Sequence, residues 1–418
     1  MLSKNKMCSC CGSPLTDGEY MILGNGITIC TSCQDIIVEG RAALTENTRS
    51  NELTEDVLEF KPSRIKSILD EYVVGQENAK KILSVSVYNH YKRLALQDKN
   101  IRKSNILLVG PTGSGKTHMI QVLAETLNVP LVIADATTMT EAGYIGDDVE
   151  CVLEKLLLKC DGNVSIAEKG IIYIDEIDKI SSIVSDTERK VGKKGVQQAL
   201  LKLLEGTVVE VPVGNTDFTG AAGKMKVTID TSQILFICGG AFPEMEEIIK
   251  KRIDKKQRLG FTNNIEPEMP EETFYKDNPM LQVTEEDLRE FGMIPEFLGR
   301  LPVIAPLEHL TVETLKMILT EPKNSLYEQY KKMFSFDGIE FSMQEDALWE
   351  VAKRAYEKKT GARSLRAIME EILMDSMFQA PDMEKGSQIF ITRNDILSKT
   401  IKNSVRNEEL AKKAIGGI

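Results

Sequence analysis

Four short apolar runs punctuate the middle of the chain: Ile106-Leu-Leu-Val109, Leu131-Val-Ile133, Ile171-Ile-Tyr-Ile174 and Ile234-Leu-Phe-Ile237. They are too short for helices and continuous rather than alternating, so they read as parallel strands buried on both faces. Segments of helical periodicity lie between them, and an amphipathic helical pattern opens at Ser63-Arg-Ile-Lys-Ser-Ile-Leu-Asp70. Strand and helix in alternation over residues 63–306 predict an α/β domain with a doubly wound parallel sheet. From Leu307 onward helical periodicity takes over, predicting a smaller, mainly helical domain over 307–418 that ends in the polar tail Lys402–Ile418. Residues 46–62 are polar and charged, which suits a linker, and they set off residues 1–45 as an N-terminal module.

The first apolar run leads into Gly110-Pro111-Thr112-Gly113-Ser114-Gly115-Lys116-Thr117, and then into the helical segment His118-Met-Ile-Gln-Val-Leu-Ala. Glycines in such a strand-to-helix loop let successive backbone N–H groups turn inward as an anion cradle, and the helix N-terminus adds partial positive charge. In that pattern Lys116 reaches the β- and γ-phosphates and the Thr117 hydroxyl ligates Mg²⁺. The run ending at Ile174 is followed by Asp175-Glu176, a carboxylate pair at the C-terminal edge of a strand, where ligands of open α/β sheets bind. Asp175 would hold Mg²⁺, directly or through water, and Glu176 would orient or deprotonate the attacking water. Together the two motifs predict an ATPase or GTPase.

Composition narrows the partners. Over 418 residues the net charge is −11, and no basic stripe offsets it, so neither nucleic acid nor an anionic membrane is the expected partner. The N-terminus has no apolar signal core and no run is long enough to span a bilayer, which predicts a soluble, cytoplasmic protein. Of eight cysteines, Cys151, Cys160 and Cys238 sit in apolar or helical contexts and read as small core residues. Cys8-x2-Cys11 and Cys30-x2-Cys33, separated by eighteen residues, have four-thiolate zinc spacing. Cys10 is a surplus thiol, and it leaves open which of Cys10 and Cys11 is the ligand. A module this small needs such a staple to fold, so the site is expected to be structural Zn²⁺ with no open coordination position.

Further segments match one family in order: Tyr72-Val-Val-Gly75-Gln76, Gly143-Tyr144-Ile-Gly146, Glu205-Gly-Thr207, Ile234-Leu-Phe-Ile-Cys-Gly-Gly-Ala-Phe242, Ile294-Pro-Glu-Phe-Leu-Gly-Arg300-Leu-Pro302 and Thr360-Gly-Ala-Arg363. In them the chain resembles the ClpX family of AAA+ protein unfoldases over nearly its whole length, and the cysteine module resembles that family's N-terminal zinc domain. The resemblance implies the AAA+ fold, ATP as nucleotide, a homohexameric ring that unfolds and threads tagged substrates, a ClpP-like peptidase partner and adaptor proteins on the zinc domain. It also implies that Val73 and Val74 line the adenine pocket, that Arg300 is a finger reaching a neighbour's γ-phosphate, and that Arg363 reports nucleotide state to the small domain. Tyr144, a bulky aromatic between glycines, is expected in the pore loop that grips substrate, and Leu259-Gly260-Phe261 resembles the family's peptidase-docking tripeptide.

Two segments depart from the family pattern. The second pore loop, expected within Arg189-Lys-Val-Gly-Lys-Lys194, is basic where the family is mildly acidic, and the pore-mouth segment Val211–Lys226 lacks the usual Arg-Lys-His triplet. Substrate preference is therefore expected to differ. No Ser-His-Asp set or His-Glu-x-x-His motif points to a protease within the chain. A stand-alone remodeller remains the second reading, and a nucleic-acid motor is disfavoured by the charge.

Overall fold

Five parallel strands form the central sheet: β1 (Ile106–Val109), β2 (Leu131–Asp135), β3 (Ile171–Asp175), β4 (Leu235–Gly240) and β5 (Val303–Pro306), in the spatial order β5-β1-β4-β3-β2. The computed structural model describes residues 7–8, 10, 13, 20–23, 27–31, 33–34, 59–98, 100–140, 147–181, 190–213, 225–259 and 278–398. Val109 stands opposite both Gly240 and Pro306, and Asp135 opposite Asp175, so the strands end together along one edge. β5 lies outside the four runs expected from the sequence. It ends in a proline, which an edge strand tolerates because one side of its backbone has no ladder to complete.

Continuous apolar strands bury both faces, as the sequence pattern requires. Leu107, Val109, Ile172, Ile174, Phe236 and Cys238 pack on one side against Leu153 and Leu156 of α4 (Cys151–Lys159), Leu200 and Leu203 of α5 (Lys190–Glu205) and Ile249 of α6 (Met245–Leu259). Ile106, Leu108, Tyr173 and Ile237 pack on the other, against α1 (Pro62–Tyr72), α2 (Glu77–Leu96) and α3 (Lys116–Leu127). Pro62 opens α1, where its preset φ and missing N–H are harmless. On α3 the side chains Met119, Ile120 and Leu123 are fully buried, each contributing roughly 1.5–3 kcal/mol, which fixes the helix start against the sheet edge.

A separate cluster runs from Leu310 to Ile396. It is built from α7 (Val312–Thr320), α8 (Leu326–Phe336), α9 (Glu345–Glu357), α10 (Arg363–Gln379) and a parallel strand pair, Glu340–Met343 with Gln388–Ile391. Phe334 stacks on Phe341 with ring centroids 4.8 Å apart at its centre. Leu307 belongs to the sheet's α1–α3 face, so the chain passes between the two cores within three residues of Leu310.

Two expected loops are regular structure in part. Lys190, Lys193 and Lys194 lie in the first turns of α5, because the apolar spacing Val196, Leu200, Leu203 carries the helix back that far; Arg189 is outside the described residues. Val211–Val213 and Met225–Lys226 belong to an antiparallel hairpin of Val208–Val213 with Met225–Asp230, and Val211 is buried beneath it. Residues 214–224 are outside the described residues, as is the tail from Lys402.

Candidate nucleotide site

A cavity of about 500 Å³ opens at the C-terminal edge of the sheet, between the phosphate loop, the end of β3 and the start of α10. Gly113 has φ +76° and Gly115 φ +99°, a region open to glycine, and no described atom lies within 4 Å of where a Gly115 Cβ would be. Gly115 is the N-cap of α3 and makes no side-chain cap, so the first N–H groups of a twelve-residue helix face the cavity. With the dipole behind them, they form an anion seat. Thr112, Gly113, Ser114, Gly115, Lys116 and Thr117 line the cavity. Gly110 and Pro111 stand behind it and shape the loop: Gly110 N–H donates to Gly240 O at 3.2 Å, and a Cβ on Gly110 would sit 2.6 Å from that of Leu307.

The charged groups converge on this seat. Lys116 Nζ donates to the carbonyls of Gly110 at 2.7 Å and Pro111 at 3.0 Å, so its ammonium is folded onto its own loop beside the phosphate position. Burial pushes the Lys116 pKa down to about 8, against the pull of Asp175 and Asp178, with Arg363 adding to the depression. A ligand carrying negative charge would offset both the desolvation cost and the repulsion from Arg363. Thr117 Oγ1 donates to Asp175 Oδ2 at 2.8 Å, which sets two hard oxygens side by side as a small divalent cation requires. Asp175 Oδ1 accepts from the Tyr173 hydroxyl at 3.1 Å and from Glu176 N–H at 3.0 Å. Glu176 sits at φ 57°, a left-handed conformation costing about 1–3 kcal/mol in a non-glycine residue, and this sharp exit from β3 turns its carboxylate toward the cavity.

An apolar wall of Tyr72, Val73, Val74 and Ile318 closes the other end, suited to a planar base. Its turn is held from below by the buried Lys80, whose ammonium pairs with Asp70 at 2.5 Å and Glu77 at 2.8 Å and donates to Val73 O at 3.2 Å. Gln76 fastens the turn to the crossover between the two cores, donating to Glu308 O at 3.0 Å and accepting from Glu308 N at 2.8 Å.

Arg363, the first residue of α10, lines the same cavity from the second core. The turn before it lies against the phosphate loop backbone to backbone, with Ala362 N–H donating to Gly113 O at 3.1 Å. A Cβ on Gly113 would lie 2.3 Å from Thr360 O, and one on Gly361 2.7 Å from Thr112 O. Only two facing glycines permit this approach.

Arg300 is not in the cavity. It is exposed, and its Nε and Nη2 reach Glu205 Oε1 at 3.2 and 2.8 Å. Its carbonyl is gripped by the buried Asn105, whose amide donates to Arg300 O at 2.9 Å and Leu204 O at 3.3 Å while accepting from Phe236 N. Gly143, Tyr144, Gly146, Gly260 and Phe261 lie outside the described residues, and Leu259 is the last residue of the helix Met245–Leu259 rather than a loop residue. Near the N-terminus the sulfurs of Cys8, Cys30 and Cys33 lie within 4.8 Å of one another, a set that could hold a metal ion. Cys10 is exposed, with its N–H 3.4 Å from Cys8 Sγ, and Cys11 is outside the described residues.

Sequence reasoning missed Asp178, which is buried in the cavity wall, accepts from Ala241 N–H at 2.9 Å and lies 3.4 Å from Lys179 Nζ. An acidic residue inside Ile177-Asp-Lys-Ile180, three positions after Asp175, was the available signal. His118 and Gln121 of α3 also line the cavity, their places set only by the turn of that helix.

Comparison with known proteins agrees with this geometry. Residues 101–304 match the AAA domain (Cdc48 subfamily), and residues 310–389 match the C-terminal, D2-small domain of ClpB protein. The ATP-dependent Clp protease ATP-binding subunits ClpX of Borrelia duttonii (strain Ly) and Borrelia recurrentis (strain A1) are each 43% identical over 409 residues, covering 94% of this chain and 92% of theirs. Among the described residues, no helix is long and apolar enough to cross a membrane. With a phosphate loop, an acidic strand end and a second-core arginine around one cavity, and with relatives matched along almost its full length, this chain is an AAA+ ATPase and belongs to the ClpX family.

Proposed function

We propose that the chain is an ATP-driven protein unfoldase that assembles as a homohexamer in the cytoplasm, threads tagged substrates through the ring and delivers them to a ClpP-like peptidase. The observation that carries this reading is the meeting of the two cores at one cleft, where Ala362 N–H donates to Gly113 O and the next residue, Arg363, lines the cavity: nucleotide bound there touches both cores, so its hydrolysis changes how they sit. The family relationship supplies the direction of the work.

In this reading the phosphate loop N–H groups and Lys116 hold the triphosphate, with Lys116 leaving the Gly110 and Pro111 carbonyls for phosphate oxygens. Thr117 and Asp175 hold Mg²⁺, which when bound neutralises charge on the phosphates. Glu176 takes the proton of the attacking water. Val73 and Val74 pack on the base, and Arg363 senses the γ-phosphate. Arg300, exposed at the rim, serves a neighbouring subunit. Residues 63–306 and 307–418 act as the large and small halves of the motor, 46–62 as the tether of the module at 1–45, and that module as a zinc-stapled platform for adaptors, with Cys8, Cys30, Cys33 and a fourth thiolate from Cys10 or Cys11 as ligands.

Tyr144 grips substrate and Leu259-Gly260-Phe261 docks the peptidase. Replacing Tyr144 by Ala is expected to spare ATP hydrolysis while abolishing unfolding of a stable tagged protein, since neither nucleotide nor metal is touched. Unfolding at the parent's rate by that variant would defeat the threading reading. Deleting 259–261 should spare hydrolysis and unfolding but abolish degradation; preserved unfolding without any peptidase dependence would instead favour a stand-alone remodeller.

A further inference from the structure

Tyr173 is fully buried in β3, on a face otherwise occupied by aliphatic side chains such as Ile171, Leu108 and Ile237. A phenol hydroxyl placed in such a layer costs about 1–3 kcal/mol unless it finds a partner, so a core-filling role alone favours Phe or an aliphatic residue. Here the hydroxyl has one. Residues two apart on a strand share a face, and the ring runs along β3 until its oxygen stands 3.1 Å from Asp175 Oδ1.

The neighbouring strand makes room for it. Gly239 of β4 lies beside the ring tip, and a Cβ there would fall 2.1 Å from the Tyr173 hydroxyl oxygen, 2.8 Å from Cζ and 3.0 Å from Cε2. The missing side chain is therefore the slot that the hydroxyl occupies. Glu176 N–H reaches the same Asp175 Oδ1 at 3.0 Å. A carboxylate rotates about a broad torsion unless it is pinned. With two donors on Oδ1, the plane of the Asp175 group is set and Oδ2 is aimed at Thr117 Oγ1, 2.8 Å away.

We propose that the Tyr173 hydroxyl, housed in the slot left by Gly239, is a positioning group that holds Asp175 and Thr117 together as a pair of metal ligands. This rests on the reading that Thr117 and Asp175 hold Mg²⁺. Tyr173 itself touches neither nucleotide nor metal; it acts through Asp175.

The test uses the full-length protein carrying Tyr173→Phe, which deletes one oxygen and keeps the ring. Mn²⁺ binding is followed by electron paramagnetic resonance in the presence of a non-hydrolysable ATP analogue, and analogue binding is measured separately in EDTA. Loss of one hydrogen bond to a charged group is expected to weaken Mn²⁺ about tenfold and to raise the Mg²⁺ needed for half-maximal hydrolysis by the same factor. Affinity in EDTA should stay within about twofold of the parent. Unchanged Mn²⁺ affinity overturns the proposal; so does an equal loss with and without metal, which would make Tyr173 a prop of the phosphate loop.

Gly239→Ala supplies an independent arm, since it displaces the hydroxyl without removing it. It should weaken Mn²⁺ at least as much as Tyr173→Phe, and combining the two should recover part of the way toward the Tyr173→Phe value, because the 2.1 Å overlap with the hydroxyl disappears while the 2.8 Å contact with Cζ stays. A folded Gly239→Ala protein with parental Mn²⁺ affinity would contradict the slot. Asp175→Asn separates the two levels: if it keeps metal affinity, the metal site is misread, whereas if it loses affinity and Tyr173→Phe does not, only the positioning role falls.

Discussion

Substituting Gly361 by alanine tests whether the nucleotide cleft depends on backbone contact between the two cores. Gly361 lies at φ +62°, and the added Cβ would fall 2.7 Å from Thr112 O and 2.8 Å from Gly113 O, neither of which can rotate away. The left-handed backbone costs alanine about 1–2 kcal/mol. Backing off from the clash also breaks the hydrogen bond from Ala362 N–H to Gly113 O, worth about 1 kcal/mol. Undocking the turn relieves these costs, so they weigh on the docked state, and a total of about 2–3 kcal/mol corresponds to roughly 30- to 150-fold weaker nucleotide binding. Titration with a fluorescent ADP analogue, alongside kcat/KM for hydrolysis, measures the loss. Gly386→Ala is the control: it sits at φ +89° with nothing within 4 Å of the new Cβ, so it should lower thermal stability while leaving nucleotide affinity alone. A Gly361→Ala protein that binds ADP within about threefold of the parent would refute the reasoning.

Glu176→Gln is expected to bind ATP normally and hydrolyse it at least about a hundredfold more slowly; mixing it with Arg300→Ala, itself slow, should restore part of the activity in a filter assay of released phosphate, because intact Glu176 and intact Arg300 then meet across an interface. Metal analysis should find one zinc per chain, removed by chelator with unfolding of residues 1–45 and no change in hydrolysis, and absent from a truncation starting near Arg49. Burial pushes Lys103 down to about 7 from 10.5, with Arg93 adding to the shift, so the unfolded chain binds more protons between those values and stability rises with pH across that window. Lys103→Met should flatten that rise in denaturant melts at pH 7 and pH 10.

The phosphate loop and the Asp175–Glu176 pair were legible because each is contiguous: the loop needs consecutive N–H groups, and the pair needs only the end of an apolar run. Four strands were legible for the same reason. β5 was not, since Val303-Ile-Ala-Pro306 is short and proline-flanked, and only its pairing with β1 makes it a strand. The segment at 190–194 was expected as a loop from the family resemblance alone, whereas helix α5 takes it in and buries Val196 and Leu200 further along. Asp178, Asn105 and the Tyr173–Gly239 slot were invisible in a different way. Each matters through a partner more than sixty positions distant or on another strand, and nothing local distinguishes a buried amide or hydroxyl that grips such a partner from one that does not.

Asn105 has a consequence for traffic around a ring. It stands at the foot of β1, where its amide grips the carbonyls of Arg300 and Leu204; the head of the same strand is Val109, from which the phosphate loop springs. β1 is buried on both faces and spans roughly 13 Å, too short and too tightly flanked to bend. On the proposed role of Arg300, one stiff rod thus has the subunit's own fuel at its upper end and the arginine it lends to a neighbour at its lower end. On that same proposed role, a shift of the loop on losing phosphate would be passed down the rod as a displacement of the lent arginine. Each subunit would then time the next through a strut, with no hinge or lever in between.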